Sequence, residues 1–176
     1  MTSLDKNMSS SDGGGKLVSA EDGLTVVTNG NLLVNLWRRP PSVTRLLRLR
    51  GIEDRFVAGL AGRLMGVVSV IEVTAMTGLL GDEEDKLVKE ITRRFEPHTV
   101  GMAHIVEGKG LKATTTRLVM SALNLFARPG YPIKIVDTAE EAAAWIGPHL
   151  PGIPAATIVK CVEQARTSLP PEPIKR

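Results

Sequence analysis

Histidine is the side chain whose ordinary pKa lies closest to neutral pH, and the chain carries three: His98, His104 and His149. A zinc-binding helix needs two ligands one turn apart, at i and i+4. The three histidines fall in a loop, inside a strand pattern and at a helix end, at no such spacing, so neither a metal nor a cofactor is expected. His104 sits within the short apolar segment Met102 to Val106. No nucleophile or activating acid stands near it in sequence, and it reads as a hydrogen-bonded strand residue rather than a general base. Cys161 is the one cysteine, which leaves no intramolecular disulfide and no cysteine cluster. On its helical pattern it reads as a small apolar residue.

Two groups of residues suggest anions or acidic partners. Gly108-Lys109-Gly110-Leu111-Lys112, followed by Thr114-Thr115-Thr116, places glycines, two cations and hydroxyls at a strand-to-helix turn. Free N–H groups at such a turn attract anions, which makes Lys109, Gly110, Lys112 and Thr114 candidates for holding a phosphate or nucleotide. The Gly-x4-Gly-Lys-Ser/Thr spacing of a P-loop is absent, and a glycine turn with capping hydroxyls is the simpler expectation. Between Arg38 and Arg63 there are seven arginines against Glu53 and Asp54. Arg45, Arg48 and Arg55 mark this basic patch, with Arg48 and Arg55 on one helix side. It suits an acidic protein or a peripheral phospholipid contact, with a plain solvated face as the alternative. Nucleic acid is not expected. Aromatic residues are 3% of the chain, and Trp37, Phe56, Phe95, Phe126 and Trp145 fall at core-like positions rather than as stacking platforms.

These residues must be positioned by a small set of elements. Residues 1 to about 20 read as a flexible tail, rich in Ser, Gly and Asp. Leu24 to Thr28 and Asn31 to Trp37 are β-rich runs around Asn29-Gly30, which predicts a hairpin with a type I′ turn. Pro40-Pro41 ends the second run. Ser42 then caps a helix with Leu46, Leu49, Phe56 and Leu60 on one stripe and a possible kink at Gly51. Gly66 to Val73 reads as a buried parallel strand. Asp82 to Phe95 is a helix with Leu87, Ile91 and Phe95 aligned, acids in its first turn and arginines in its last. Met102 to Val106 is a strand, Leu111 to Ala127 a helix and Ile133 to Val136 a last strand. Thr138-Ala139-Glu140-Glu141 is a capping box for the next helix. Pro154 to about Ser168 forms a final helix, before the proline-rich 170–176 tail.

This order predicts an α/β fold with a mixed, mostly parallel sheet opened by an antiparallel hairpin, four covering helices and an extra C-terminal helix. The expected organisation is a tail (1–20), one domain (21–150), a C-terminal helix (151–169) and a second tail. The C-terminal helix must cover either its own sheet or a second chain, so a homodimer is one expectation. Apolar and charged fractions of 43% and 23% are ordinary for a globular domain. No run is apolar enough for a membrane span, and no secretory signal is evident, which makes the cytoplasm the expected compartment.

From Leu24 to His149 the chain resembles the STAS and SEC14-like group, which includes bacterial anti-sigma factor antagonists. The resemblance is carried by Leu32 to Trp37 with Pro40-Pro41-Ser42, by Ala103 to Gly108, and by Pro132 to Thr138 leading into Glu140 to Ile146. In the antagonists, a loop after the third strand carries an Asp-Ser-Ser-Gly-type motif whose hydroxyl accepts phosphate. Here the nearest match is Ala75-Met76-Thr77-Gly78, with Met76 at the acceptor position and Ala75 in place of the acid. The resemblance therefore implies a binding domain without that phospho-switch. Its partner loop would be Thr74, Met76, Thr77, Gly78 and Leu79, with Thr74 and Thr77 the remaining hydroxyls. The function expected is a non-enzymatic protein-interaction or regulatory module, whose partner is another protein, an acidic one or a kinase-like regulator. The alternative is a domain that binds a small ligand, phospholipid or nucleotide.

Overall fold

A computed structural model describes residues 13–73, 80–106, 110–117 and 129–168. In chain order the elements are β1 (Lys16–Glu21), β2 (Leu24–Asn29), β3 (Leu32–Trp37), α1 (Val43–Gly59), β4 (Met65–Ile71), α2 (Asp82–Phe95), β5 (Thr99–Val106), helical residues 111–117 (α3), β6 (Ile133–Val136), α4 (Ala139–Ile146) and α5 (Ala155–Thr167). The fold is α/β. Six strands form one sheet in sequential order, β1 to β3 antiparallel and β3 to β6 parallel, which is the mixed sheet with an antiparallel opening that the alternation of patterns predicts. Among the described residues no helix is long and apolar enough to cross a membrane.

Two local expectations are corrected. Residues 16–20, read as part of a tail, form most of β1. The link from β1 to β2 is Asp22-Gly23, with φ of 48° and 77°, the two positive values that a type I′ turn demands. At the next turn Asn29 is already paired with Leu32, so the loop is Gly30-Asn31. Gly30 has φ of 56° while Asn31 has no positive φ, the pattern of a II′ turn rather than I′.

Alternation along the strands gives the sheet two faces, and each is covered differently. Val34, Leu36, Val68, Val70, Ala103 and Ile105 face α4 and α5, whose Ala142, Ile146, Ile158, Val162 and Ala165 complete an apolar core. At Gly66 this layer comes so close that a Cβ would lie 2.8 Å from Leu150 Cδ1. Leu33, Trp37, Val67, Ile71 and Val106 face α1 and α2, which contribute Leu46, Leu49, Ile52, Leu87 and Ile91. Helix α1 runs unbroken through Gly51, and the Ser42 hydroxyl accepts from Arg45 N–H at 3.3 Å as its cap. At α4 the Thr138 hydroxyl accepts from Glu141 N–H, and Glu141 Oε2 reaches back to Asp137 N–H, one residue before the expected donor.

Helix α5 covers its own sheet, so its apolar side chains do not present a surface to a second chain. Arg38, just past β3, donates to the carbonyls of Ala165 (3.1 Å), Arg166 (2.6 Å) and Ser168 (3.3 Å) at the end of the helix, and to Thr25 Oγ1 at 2.9 Å. A guanidinium suits this place because the last carbonyls of a helix have no partner within it and carry its negative dipole end. The Gln164 side chain holds the other side, accepting from Gly15 N–H at 2.8 Å and donating to Gly15 O at 2.9 Å.

Candidate ligand pocket

The face under α1 and α2 differs from its opposite in one respect. On β3, β4 and β5 the residues Asn35, Ser69 and His104 lie in direct register, Asn35 opposite Ser69 and Ser69 opposite His104. They form a polar row across three adjacent strands, all three under 7% exposed. Helix α1 adds Glu53 above this row. Leu46, Leu49 and Glu53 are spaced i, i+3 and i+7, so the helix period that buries the leucines also buries the carboxyl. A cavity of about 160 Å³ lies here. Its described walls are these polar groups, apolar side chains from Trp37, Leu49, Ile71, Ile91, Met102 and Ile133, and Tyr131 just before β6.

Part of the polar row is already engaged: Asn35 Oδ1 accepts from the Trp37 indole N–H at 3.0 Å. Glu53 Oε2 and His104 Nδ1 are buried with no hydrogen-bond partner among the described residues. Burial also sets their charge. Removal from water, with the neighbouring Asp54 charge as the smaller cause, pushes the Glu53 carboxyl up to about 8, and burial pushes the His104 imidazole down to about 4. The Tyr131 phenol is pushed up by burial, with the Glu53 and Glu96 carboxylates adding to the shift. All three are therefore uncharged at neutral pH. Among the described residues no lysine or arginine lines the cavity, and no group of three His, Cys, Asp or Glu could hold a metal. The chemistry on offer among the described residues is a carboxylic acid, an imidazole, an amide and three hydroxyls, those of Ser69, Thr92 and Tyr131, in a small apolar chamber. Such a lining suits an uncharged group better than an unpaired ion.

Comparison with known proteins adds no family. Scans of family models, curated proteins and solved structures return no match. The reading of this chain therefore rests on its own residues.

Of the residues weighed in the sequence, His104 lines the cavity. Thr74, Met76, Thr77, Gly78 and Leu79 fall outside the described residues, as does Lys109. Gly110 has φ of 94° and is open to solvent. The Thr114, Thr115 and Thr116 hydroxyls each donate to the carbonyl four residues back, at 2.9 to 3.1 Å, which is the local backbone role rather than anion binding. Lys112 is exposed. In the basic patch, Arg45 is paired with Asp22 at 3.2 Å and donates to the carbonyls of Asp22 and Pro40, and Arg48 is 3.8 Å from Glu21. Acids of the β1–β2 turn thus offset much of the charge, and Arg55 lies further along α1. Among the described ones of these candidates, none lines the cavity. His104 is the strand residue its apolar segment predicts, but its Nδ1 lacks the expected hydrogen-bond partner among the described residues, and Glu53, an acid at a stripe position of α1, carried a signal the sequence reading did not use.

Proposed function

We propose that the protein is a non-enzymatic binding domain for a small molecule, held between the sheet and helices α1 and α2. This is the small-ligand branch of the STAS- and SEC14-like expectation. The observation that supports it is the pairing of a chamber with two buried polar atoms that have no partner among the described residues, Glu53 Oε2 and His104 Nδ1. A buried polar atom without a partner costs about 1–3 kcal/mol, and a native domain leaves few such atoms in place. A ligand that reaches them recovers that energy. The partner-docking alternative rests on residues 74–79, outside the described part of the chain, and the paired state of Arg45 and Arg48 gives it no added support.

A ring-sized compound library screened by thermal shift tests this reading, with Ser69→Met as a variant that fills the floor of the chamber. A compound at about 100 times its Kd stabilises the folded state by about 2.7 kcal/mol, so bound compounds raise the Tm of the wild type and leave S69M unmoved. Equal shifts in both proteins, or none in the wild type, would overturn it.

A further inference from the structure

We infer that the pocket selects an uncharged, ring-sized molecule bearing a hydrogen-bond donor and acceptor side by side, an aromatic carboxamide or lactam, and that Glu53 is the group that reads it. The inference rests on the ligand-binding reading above and narrows it to a chemical class.

Size sets the first limit. About 160 Å³ is on the scale of the engineered apolar cavity that takes up benzene, which leaves room for one ring and a short substituent. Charge sets the second. An anion would meet no cation among the described lining residues, and burying an unpaired charge is far more costly than burying a neutral group. A cation would require Glu53 to ionise in a site that holds it as the acid. A neutral ligand meets neither penalty.

Hydrogen bonding sets the third limit. A protonated carboxyl presents an O–H donor and a carbonyl acceptor at adjacent atoms. The complementary edge is one N–H beside one C=O, as in a primary amide or a lactam, and two parallel hydrogen bonds then form with no proton transferred. Glu53 Oε2 is 4% exposed by residue and unpartnered, and His104 Nδ1 on β5 is unpartnered as well, so the amide's remaining polar atom also has a group to meet. The apolar walls from Trp37, Leu49, Ile91 and Met102 suit a ring but give it no direction, which leaves Glu53 to supply the selectivity.

Selection by an acid in its protonated form makes binding depend on pH. The titratable groups that face Glu53 are His104 from β5 and Tyr131 before β6. On its own helix Asp54 is paired with Arg94 of α2 at 2.7 Å, and the α2 residues lining the pocket, Val88, Ile91 and Thr92, carry no charge. His104 stays neutral above about pH 5 and Tyr131 through pH 9, so the change in this range belongs to Glu53.

Calorimetric titration of the full chain with benzamide, toluene, benzoate and benzylamine, at pH 6 and pH 9, tests the inference on the wild type, Glu53→Gln and Glu53→Leu. Benzamide is expected to bind the wild type at pH 6 at least about tenfold more tightly than toluene, with benzoate and benzylammonium weaker than either. At pH 9 only about a tenth of Glu53 remains protonated, so benzamide affinity drops about tenfold. E53Q keeps a donor beside an acceptor and is expected to retain benzamide without that drop, whereas E53L loses the preference over toluene. Toluene binding the wild type as tightly as benzamide, or E53L keeping the preference, overturns the amide inference while leaving a binding pocket in place. If none of the four compounds binds the wild type, and toluene does not bind E53L, the pocket reading itself fails.

Discussion

Glu53 and His104 shift in opposite directions for the same reason, and the two shifts together fix how stability responds to pH. The folded chain holds the Glu53 proton until about pH 8, whereas the exposed carboxyl loses it near 4.5. Between those values the folded state binds more protons than the unfolded one, so stability falls as pH rises, by at most about 1.4 kcal/mol per pH unit. For His104 the order reverses: the unfolded imidazole takes a proton near 6.5 and the buried one near 4, so stability falls as pH drops across that window. From 4.5 to 6.5 the two slopes cancel, which predicts a plateau there, an alkaline decline to about pH 8 and an acid decline to about pH 4. Urea unfolding across pH 4 to 9 checks this. E53Q is expected to remove the alkaline decline and His104→Leu the acid one, while an alkaline decline unchanged in E53Q would mean that other groups cause it. Both residue types stood in plain view in the sequence. Glu53 continues the Leu46–Leu49 spacing, and burial of a stripe buries whatever occupies it. The sequence alone could not show that no other described side chain would reach Oε2 or Nδ1, because partners come from other elements.

Among the elements, α5 is the one whose place depends on a few long-range polar contacts. Arg38 binds three carbonyls at its end, and hydrogen bonds to a charged group contribute about 1.5–3 kcal/mol. Arg38→Met is expected to lower unfolding stability by about 2 kcal/mol and to speed amide exchange in 155–167 before the rest of the sheet. Uniform exchange across both faces would show that α5 does not open separately. Element types were legible from pattern: α1, α2, α4, β3 and β6 lie close to where apolar spacing and caps placed them. The strand β1 was not, because Lys16–Glu21 is half-exposed on an edge and lacks the apolar run that marks a central strand. Its signal was Asp22-Gly23, a turn pair as strong as the Asn29-Gly30 that drew attention instead. Nor could the sequence say where α5 would pack, since an apolar stripe reads alike whether it meets its own sheet or a second copy.

Across the whole molecule, the two faces of the sheet differ in their cover, and the proposed binding site lies on one of them. The face under α4 and α5 anchors the strands with an apolar cluster, and its buried Thr25 has a partner in Arg38. The opposite face gives up three central strand positions to Asn35, Ser69 and His104, and a fourth, on α1, to Glu53. Alternation of strand and helix patterns made the α/β class legible. The register that aligns the three polar residues was not, because a one-residue slip between parallel strands would send His104 to the other face. The most direct measurement is the titration of the Glu53 side-chain carboxyl by carbon NMR, in the free protein and with saturating benzamide. The account predicts a midpoint near 8 in the free protein that moves higher when the amide holds the acid form. A midpoint near 4.5, unmoved by the ligand, would contradict it.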